Sequence, residues 1–597
     1  MNQGEGGLPT GRETEFTARA VGWLAAAFLL AGAFALPSRA EAQQFNPVPQ
    51  GSPVPRVLPP APPSVGPGAV VPPPSLGGSE MPNRPVRVTS VTVEGVTAYP
   101  QPEMEQLAAG LIGPAVALPQ IDAARQSILQ HYRADGYVLT TVSANLDAAG
   151  HLRFVVTEGR IGSVKLDGDI GPAGTQVLRF LNKLLEKQPI DTVTLERYLL
   201  LAQDVPGVTL RAVLEPSSDQ PGTLNLIAQV SRQSVSGLAT LDNRAFRETG
   251  PLEFLGLLDF NSFTEFGEKT ELSFYHAFPN TQNFGQASTE FFIGASGLKG
   301  RVYGGYGTTV PTGSLGDLGY NGTTTVFGAS LSYPVIRSRQ QSLNINLVFD
   351  ALESDISTTS TGVRARSSFD SLRVARLGAD YALSDIWLGA ERSAINAVSV
   401  RISQGMKLLG ATNDGVAQDS PRVGEQTGFT KIAFEASRTQ TLFSPWEGAS
   451  VGLMGLLTGQ WSGNVLPPAE QFYLGGARFT RGYYAGQVPG DKALATTVEL
   501  QLNTGFETTV FDKSFDISTQ FYVFYDWGET WQNLSTDHNA MINSAGGGVR
   551  AQITRHVEVD LEGLARFNRF PNGGNSPGSG VSALNGAAFY WRVLTRF

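Results

Sequence analysis

Cysteine is absent from the 597-residue chain, which excludes a disulfide scaffold and a thiolate metal site and suits a periplasmic or surface location. Histidine is scarce. His131, His151, His276, His538 and His556 are scattered, with no two at the i, i+4 spacing of a zinc pair, so neither a metal nor another cofactor is expected. Charged residues make up only 16% of the chain and the net charge is −9, which leaves no basic footprint for nucleic acid. No Gly-x-x-x-x-Gly-Lys-Ser/Thr loop is present to hold a nucleotide. Beyond Ala42 no apolar run approaches the length of about 18 residues that reads as a membrane helix. If the mature chain crosses a membrane, it must do so as a closed barrel, the other architecture that satisfies every backbone group in lipid.

What is plentiful is glycine, 68 residues, and sequence that alternates polar with apolar. The chain opens differently. Arg12 and Arg19 precede the apolar run VGWLAAAFLLAGAFAL (21–36), and Ala40 and Ala42 supply small residues before a cut after Ala42. Residues 1–42 are therefore expected to be a secretory signal peptide; a true membrane anchor would need a longer apolar stretch. Residues 43–85, with PVPQGSPVPRVLPPAPPSVGPG, cannot bury a core and read as a polyproline-like linker.

Residues 86–160 predict the order β-α-α-β-β. Val88, Val91 and Val93 mark a strand, Met104, Leu107 and Leu111 a short helix, and Ile121, Ala124, Ile128 and Tyr132 a second helix closed by Gly136. YVLTTVSANL (137–146) and HLRFVVTEG (151–159) follow as a strand pair. The pattern then repeats over 161–233: IGSVKLDG, a helix with Leu178, Leu181 and Leu185, a helix after Asp191 with Leu195 and Leu199, then GVTLRAVLE and GTLNLIAQVS. Two tandem copies of about 75 residues form a repeat.

From 234 to 597 the helical period disappears. SLNINLVFD (342–350) puts Leu343, Ile345, Leu347 and Phe349 on one face and Asn344, Asn346 and Asp350 on the other. HVEVDLEG (556–563) sets Val557, Val559 and Leu561 against His556, Glu558, Asp560 and Glu562. About sixteen such segments of 8–13 residues predict an all-β transmembrane barrel of antiparallel strands, lipid outside and water inside. A soluble sandwich of two open sheets fits worse, because its core would have to accept the alternating charges and amides. In AAFYWRVLTRF, Phe589, Trp591, Val593 and Phe597 fall on the lipid side and Tyr590, Arg592 and Arg596 on the lumen side.

The stretch GGARFTRGYY (475–484) is out of character. It places Arg481 among glycines and aromatics between the segments 447–459 and 495–504, counted as the eleventh and twelfth. FYVFYDWG, the thirteenth, turns Tyr522, Phe524 and Asp526 inward by alternation, so a carboxylate stands where an inward-folded Arg481 needs one. An exposed surface turn is the plainer alternative for this stretch.

Two POTRA-like repeats followed by such a barrel resemble the outer-membrane transporters of two-partner secretion, the haemolysin secretion/activation (ShlB/FhaC/HecB) type of the TpsB family. The family's V-R-G-[FY] loop motif matches Thr480, Arg481, Gly482 and Tyr483, with Thr for Val, and its F-x-D-x-G motif matches Phe524, Asp526 and Gly528. Of the family's N-E-L, only Glu499 is carried over, in VEL (498–500). The resemblance implies a loop at about 460–494 folded into the lumen, with Gly482 allowing a tight turn and Tyr483 packing on the inner wall. It also implies an assembly signal in Phe589, Trp591 and the aromatic Phe597. Family members often begin with an amphipathic helix that plugs the barrel. Residues 43–85 are too rich in proline for one, so a plug here is missing or extended.

The resemblance implies a non-enzymatic pore in the outer membrane of a Gram-negative bacterium, with its POTRA domains in the periplasm. Its partners would be a secreted TpsA-like exoprotein of haemolysin or adhesin type, outer-membrane lipid, periplasmic chaperones and the barrel assembly machinery. An unfolded exoprotein would add a strand to a POTRA edge, for which 207–214 and the neighbouring helix 175–187 are the candidates. Two alternatives remain. A barrel insertion factor usually carries more repeats, and a TonB-dependent receptor or porin needs a globular plug or no periplasmic repeats. Lumenal carboxylates such as Glu558 and Asp560 read as solvated lumen residues rather than an acid/base pair.

Overall fold

The computed structural model describes Pro53, Val65 and residues 84–597, apart from 219, 361, 415–418, 511–512 and 572–582. The expected signal peptide and nearly all of the proline-rich linker lie outside the described residues.

The first unit comprises β1 (Pro85–Val88), β2 (Ser90–Glu94), α1 (Gln101–Leu107), β3 (Gly113–Ala117), α2 (Leu118–Ala134), β4 (Thr141–Leu146) and β5 (His151–Thr157). Ile121, Ala124, Ile128 and Tyr132 form the buried stripe of α2 and pack on Val93, Val142 and Phe154 of the sheet β2-β5-β4. Gly136, at φ +89°, ends this helical region in the left-handed conformation that costs glycine least. The single strand expected through Val88, Val91 and Val93 is broken. The Thr89 amide turns to the Gly150 carbonyl, and Val88 pairs instead with β3 in a separate two-stranded sheet. β3, GPAVA, is too short and proline-bearing to announce itself. Leu111 lies beyond the end of α1, and the strand expected from 137 begins at Thr141.

The second unit comprises β6 (Arg160–Asp167), α3 (Ala173–Leu181), α4 (Lys183–Glu186), α5 (Thr192–Gln203), β7 (Val208–Pro216) and β8 (Thr223–Arg232). Its sheet order β6-β8-β7, parallel then antiparallel, repeats that of β2-β5-β4. Asp191 caps α5 by accepting from the Thr194 amide at 2.7 Å. Leu185 stands in the separate α4 rather than continuing α3.

The remaining chain closes into a sixteen-strand antiparallel barrel. Its first half is β9 (Val235–Asp242), β10 (Glu253–Asn261), β11 (Lys269–Ala277), β12 (Gln282–Phe292), β13 (Lys299–Thr309), β14 (Asn321–Arg337), β15 (Gln341–Ser360) and β16 (Val363–Asp385). The second half is β17 (Ala394–Gly405), β18 (Thr430–Phe443), β19 (Ser450–Ser462), β22 (Lys492–Val510), β23 (Lys513–Trp531), β24 (Ala540–Gln552), β25 (Val557–Arg566) and β26 (Ala587–Arg596). Two short strands, β20 (Phe472–Leu474) and β21 (Val488–Gly490), pair only with each other and are not part of the barrel wall. Several strands outrun the expected 8–13 residues: β15 has 20 and β16 has 23. The extension of β16 is exposed on both faces over VRARS (363–367), so no buried lumen face alternates with an apolar lipid face there.

Faces alternate along each wall. In β17, Val398, Val400 and Ile402 are exposed outward. In β11, Leu272 and Phe274 are exposed, while Ser273 and Tyr275 are buried. Many inward charges are paired, for example Lys299 with Glu290 and Arg438 with Asp385. The second α/β unit docks on the short turns at the end of the barrel that bears it. Arg197 donates to the carbonyls of Ser296, Pro334 and Val335, Arg337 makes a two-point contact with Asp204, and Phe180 meets Phe292 edge to face at 5.1 Å.

The seam joins β26 to β9 from Arg592↔Asp242 to Arg596↔Leu238. Phe597 extends it by exchanging two backbone hydrogen bonds with Gly237 at 3.0 and 3.1 Å. The Phe597 ring covers Gly237, where an added Cβ would come within 2.2 Å of Cζ. Gly237→Val is therefore expected to displace the ring, cost about 1–3 kcal/mol and lower the temperature at which the barrel loses its compact gel mobility. An unchanged heat-modification profile would show that the seam does not depend on this contact.

Candidate functional site

The chain between β19 and β22 folds back inside the barrel. Paired β20 and β21 carry a tip at 475–487, and the tip rests on the inner faces of β22 to β25. Arg481 is 3% exposed. Its Nε and Nη2 donate to the two carboxylate oxygens of Asp526 at 3.0 and 3.1 Å, and its backbone amide donates to Asp526 Oδ2 at 2.7 Å. Nη1 donates to Glu499 Oε2 at 2.5 Å. The guanidinium carbon stands 3.6 Å from the centre of the Phe524 ring, close enough for a cation–π contact of about 2 kcal/mol when desolvated.

The barrel wall supplies these partners through strand alternation. Tyr522, Phe524, Asp526 and Gly528 all point inward from β23, and Glu499 on β22 lies directly opposite Phe524 in the register. Gly528 makes room: a Cβ there would meet Thr480 Cγ2 at 2.8 Å and Leu474 Cδ2 at 2.9 Å.

The roles of Thr480 and Gly482 differ from the expected ones. Gly482 does not have the positive φ of a tight turn; Thr480 does, at +51°. That conformation is costly for a β-branched residue. The Thr480 hydroxyl offsets part of the cost by accepting from the Gly475 amide at 2.8 Å and donating to the Phe479 carbonyl at 2.7 Å. Gly482 is needed for contact instead. A Cβ would lie 2.5 Å from Ser544 Cβ, while the Gly482 amide donates to Ser544 Oγ and its carbonyl accepts from Arg566 Nε. Tyr483 is buried with its hydroxyl 2.9 Å from the carbonyls of Asn543 and Asn568, and it accepts from the Asn568 amide.

Three further residues complete the cluster. Arg550 on β24 binds Glu499 at 2.7 and 3.1 Å and stacks 3.8 Å over Tyr522. Glu562 on β25 accepts from Tyr522 and from Arg244, and Arg244 also donates to the Arg481 carbonyl at 3.2 Å. Glu562 is inward by alternation, so the sequence gives its face; its pairing with Arg244, across more than 300 residues, has no local signal. Beside the tip lies a cavity of about 440 Å³, lined among others by Arg244, Phe479, Arg550 and Pro53 of the proline-rich segment. Phe589 and Phe597 are exposed outward and Trp591 is half-buried, apart from this cluster.

Because removing either partner leaves a buried charge under-compensated, Arg481→Ala and Asp526→Ala should each weaken loop docking by about 3–5 kcal/mol. Proteinase K added to intact cells should then cut 463–491 at least about a hundredfold faster, since cleavage follows the open population. The double variant should scarcely exceed the worse single one. Independent, additive effects would separate the two residues.

The family model described as haemolysin secretion/activation protein ShlB/FhaC/HecB matches residues 224–551, and that of the ShlB-type POTRA domain matches 86–159. The heme/hemopexin transporter protein HuxB of Haemophilus influenzae (strain 86-028NP) is 21% identical over 458 residues, 75% of this chain and 77% of that protein. Among solved structures, CdiB from Escherichia coli superposes with a TM-score of 0.67 at 17% identity, over 88% of this chain and 93% of that one. CdiB from Acinetobacter baumannii gives 0.58 at 14% identity, over 98% of each. The solved structures share the fold, and the family model spans more than half of the sequence, so the chain belongs to the ShlB/FhaC/HecB family of haemolysin secretion/activation proteins, the outer-membrane transporters of two-partner secretion whose POTRA domains lie in the periplasm.

Proposed function

We propose that this chain captures one unfolded, haemolysin- or adhesin-like exoprotein in the periplasm and passes it outward while the loop 463–491 leaves its dock. The observation that carries the reading is a loop inside a closed barrel, held by a buried guanidinium and no covalent bond. Such a tether keeps the resting pore shut yet can be released by competing contacts worth a few kcal/mol. With no nucleotide at hand, folding of the exoprotein outside the cell would bias its transit.

Capture fits the edges of the α/β sheets. β7 is an edge strand of its sheet, and strand addition there would supply backbone hydrogen bonds with little demand on sequence. α3 is a poorer candidate, since it packs on β6 and α5 rather than on β7. Gln176 donates to the Gly294 carbonyl and Phe180 packs on Phe292, which commits this face to the barrel. Outward Phe589, Trp591 and Phe597 fit delivery by periplasmic chaperones to the barrel assembly machinery and then contact with outer-membrane lipid. Each carboxylate of the tip cluster is held by a guanidinium, which favours anchoring over acid/base catalysis.

The test pairs this chain with the secreted protein encoded beside it. Arg481→Ala should lower the exoprotein in the medium at least about tenfold, if export needs the loop to return to its dock, with barrel abundance unchanged. Normal exoprotein levels together with depletion of unrelated outer-membrane barrels on removing the chain would support an insertion factor instead.

A further inference from the structure

The base of the inward loop is held by a second buried charge cluster, on a different part of the wall. Glu470 stands in the descending limb just before β20 and is 4% exposed. Arg376 on β16 donates to its two carboxylate oxygens at 2.6 and 3.0 Å, and Lys431 on β18 lies 2.7 Å from Oε2. The Glu470 carbonyl also accepts from Lys431 Nζ at 2.8 Å and Gln460 Nε2 at 3.2 Å. Arg376 is braced in turn by Asp350 on β15 and by the Ser403 hydroxyl on β17.

The two docks have opposite polarity. At the tip the loop brings a cation to carboxylates on β22 and β23; at its base the loop brings a carboxylate to cations on β16 and β18. In the closed order of strands, β16 and β18 lie on one side of β19 and β22 to β25 on the other, so the loop is strapped between two stretches of wall.

We propose that Glu470 is a positioning residue of the export channel, fixing the base of the loop so that the resting pore stays closed even when the tip moves. The proposal rests on the loop acting as the pore's gate. Glu470 touches no feature of the tip motif; it acts by holding the limb from which the tip is suspended.

Purified full-length protein in planar lipid bilayers tests this through the fraction of time the single channel spends open. Glu470→Gln keeps the shape but removes the charge, and should raise the open fraction about tenfold or more, the scale on which losing a buried charge pair moves a two-state equilibrium. Lys431→Gln should act in the same direction, and the pair of changes together should add little to the larger single effect. Heat-modified gel mobility of each variant reports whether the barrel itself is intact. An open fraction unchanged by Glu470→Gln in an intact barrel, while Arg481→Ala opens the channel, would overturn the role of Glu470 alone. A channel unaffected by either change would overturn the gate reading with it. Additive effects of Glu470→Gln and Lys431→Gln would also overturn the shared lock.

Discussion

A buried guanidinium governs the inner half of this barrel. Arg481 is almost wholly removed from water, and a charge in that position is tolerable only when each of its donors meets an acceptor. Asp526 and Glu499 meet that demand, and Phe524 offers the face of a ring where no oxygen stands. The rest follows from bringing the loop tip close enough. Gly528 and Gly482 are sites where a single extra carbon would collide, and Thr480 accepts a strained backbone so that the arginine beside it can turn to the wall. The surrounding charges balance: Arg481, Arg550 and Arg244 face Asp526, Glu499 and Glu562 in one contiguous network. Every member is therefore sensitive to the loss of any other.

Such a network needs a rigid frame, and the closed sheet provides it. A barrel leaves no edge, so each strand is registered by two neighbours, and that register decides which side chains face each other across the lumen. Glu499 lies opposite Phe524, and Asp526 opposite Ser544, whose hydroxyl holds Gly482. A slip of one residue in β23 would turn Asp526 toward lipid and leave Arg481 without its main partner. The seam at Gly237 and Phe597 thus supports the site, although it lies far from it along the chain.

Much of this was legible in sequence because period-2 alternation and a pair of short motifs are local signals. Inward placement of Phe524, Asp526, Glu499 and Glu562 needed only parity along a strand. The number and order of strands followed from the same alternation. What stayed hidden lacked a local signature. The extension of β16 is exposed on both faces, and β3 is five residues containing a proline. Arg244, Arg550 and Glu562 come from separate segments, and only closure of the barrel makes them neighbours. Glycine at 482 permits a turn, but the structure uses its missing side chain instead.

The opposite polarity of the two docks restricts how the loop can move. Turned end for end, the loop would set Arg481 against Arg376 and Lys431, and Glu470 against Asp526 and Glu499, so that every favourable contact became a repulsion in a confined lumen. The loop is therefore keyed to one orientation. On the proposed function, an exported chain would push it along the barrel axis or swing it about whichever dock holds longer. At the base Glu470 offers both its carboxylate and its carbonyl to three wall side chains and adjoins the paired strands β20 and β21. The tip is held by the Arg481 side chain and by the Gly482 backbone and Tyr483 hydroxyl around a strained turn at Thr480. Neither dock hangs on a single bond, so the loop leaves either one only by breaking several contacts together.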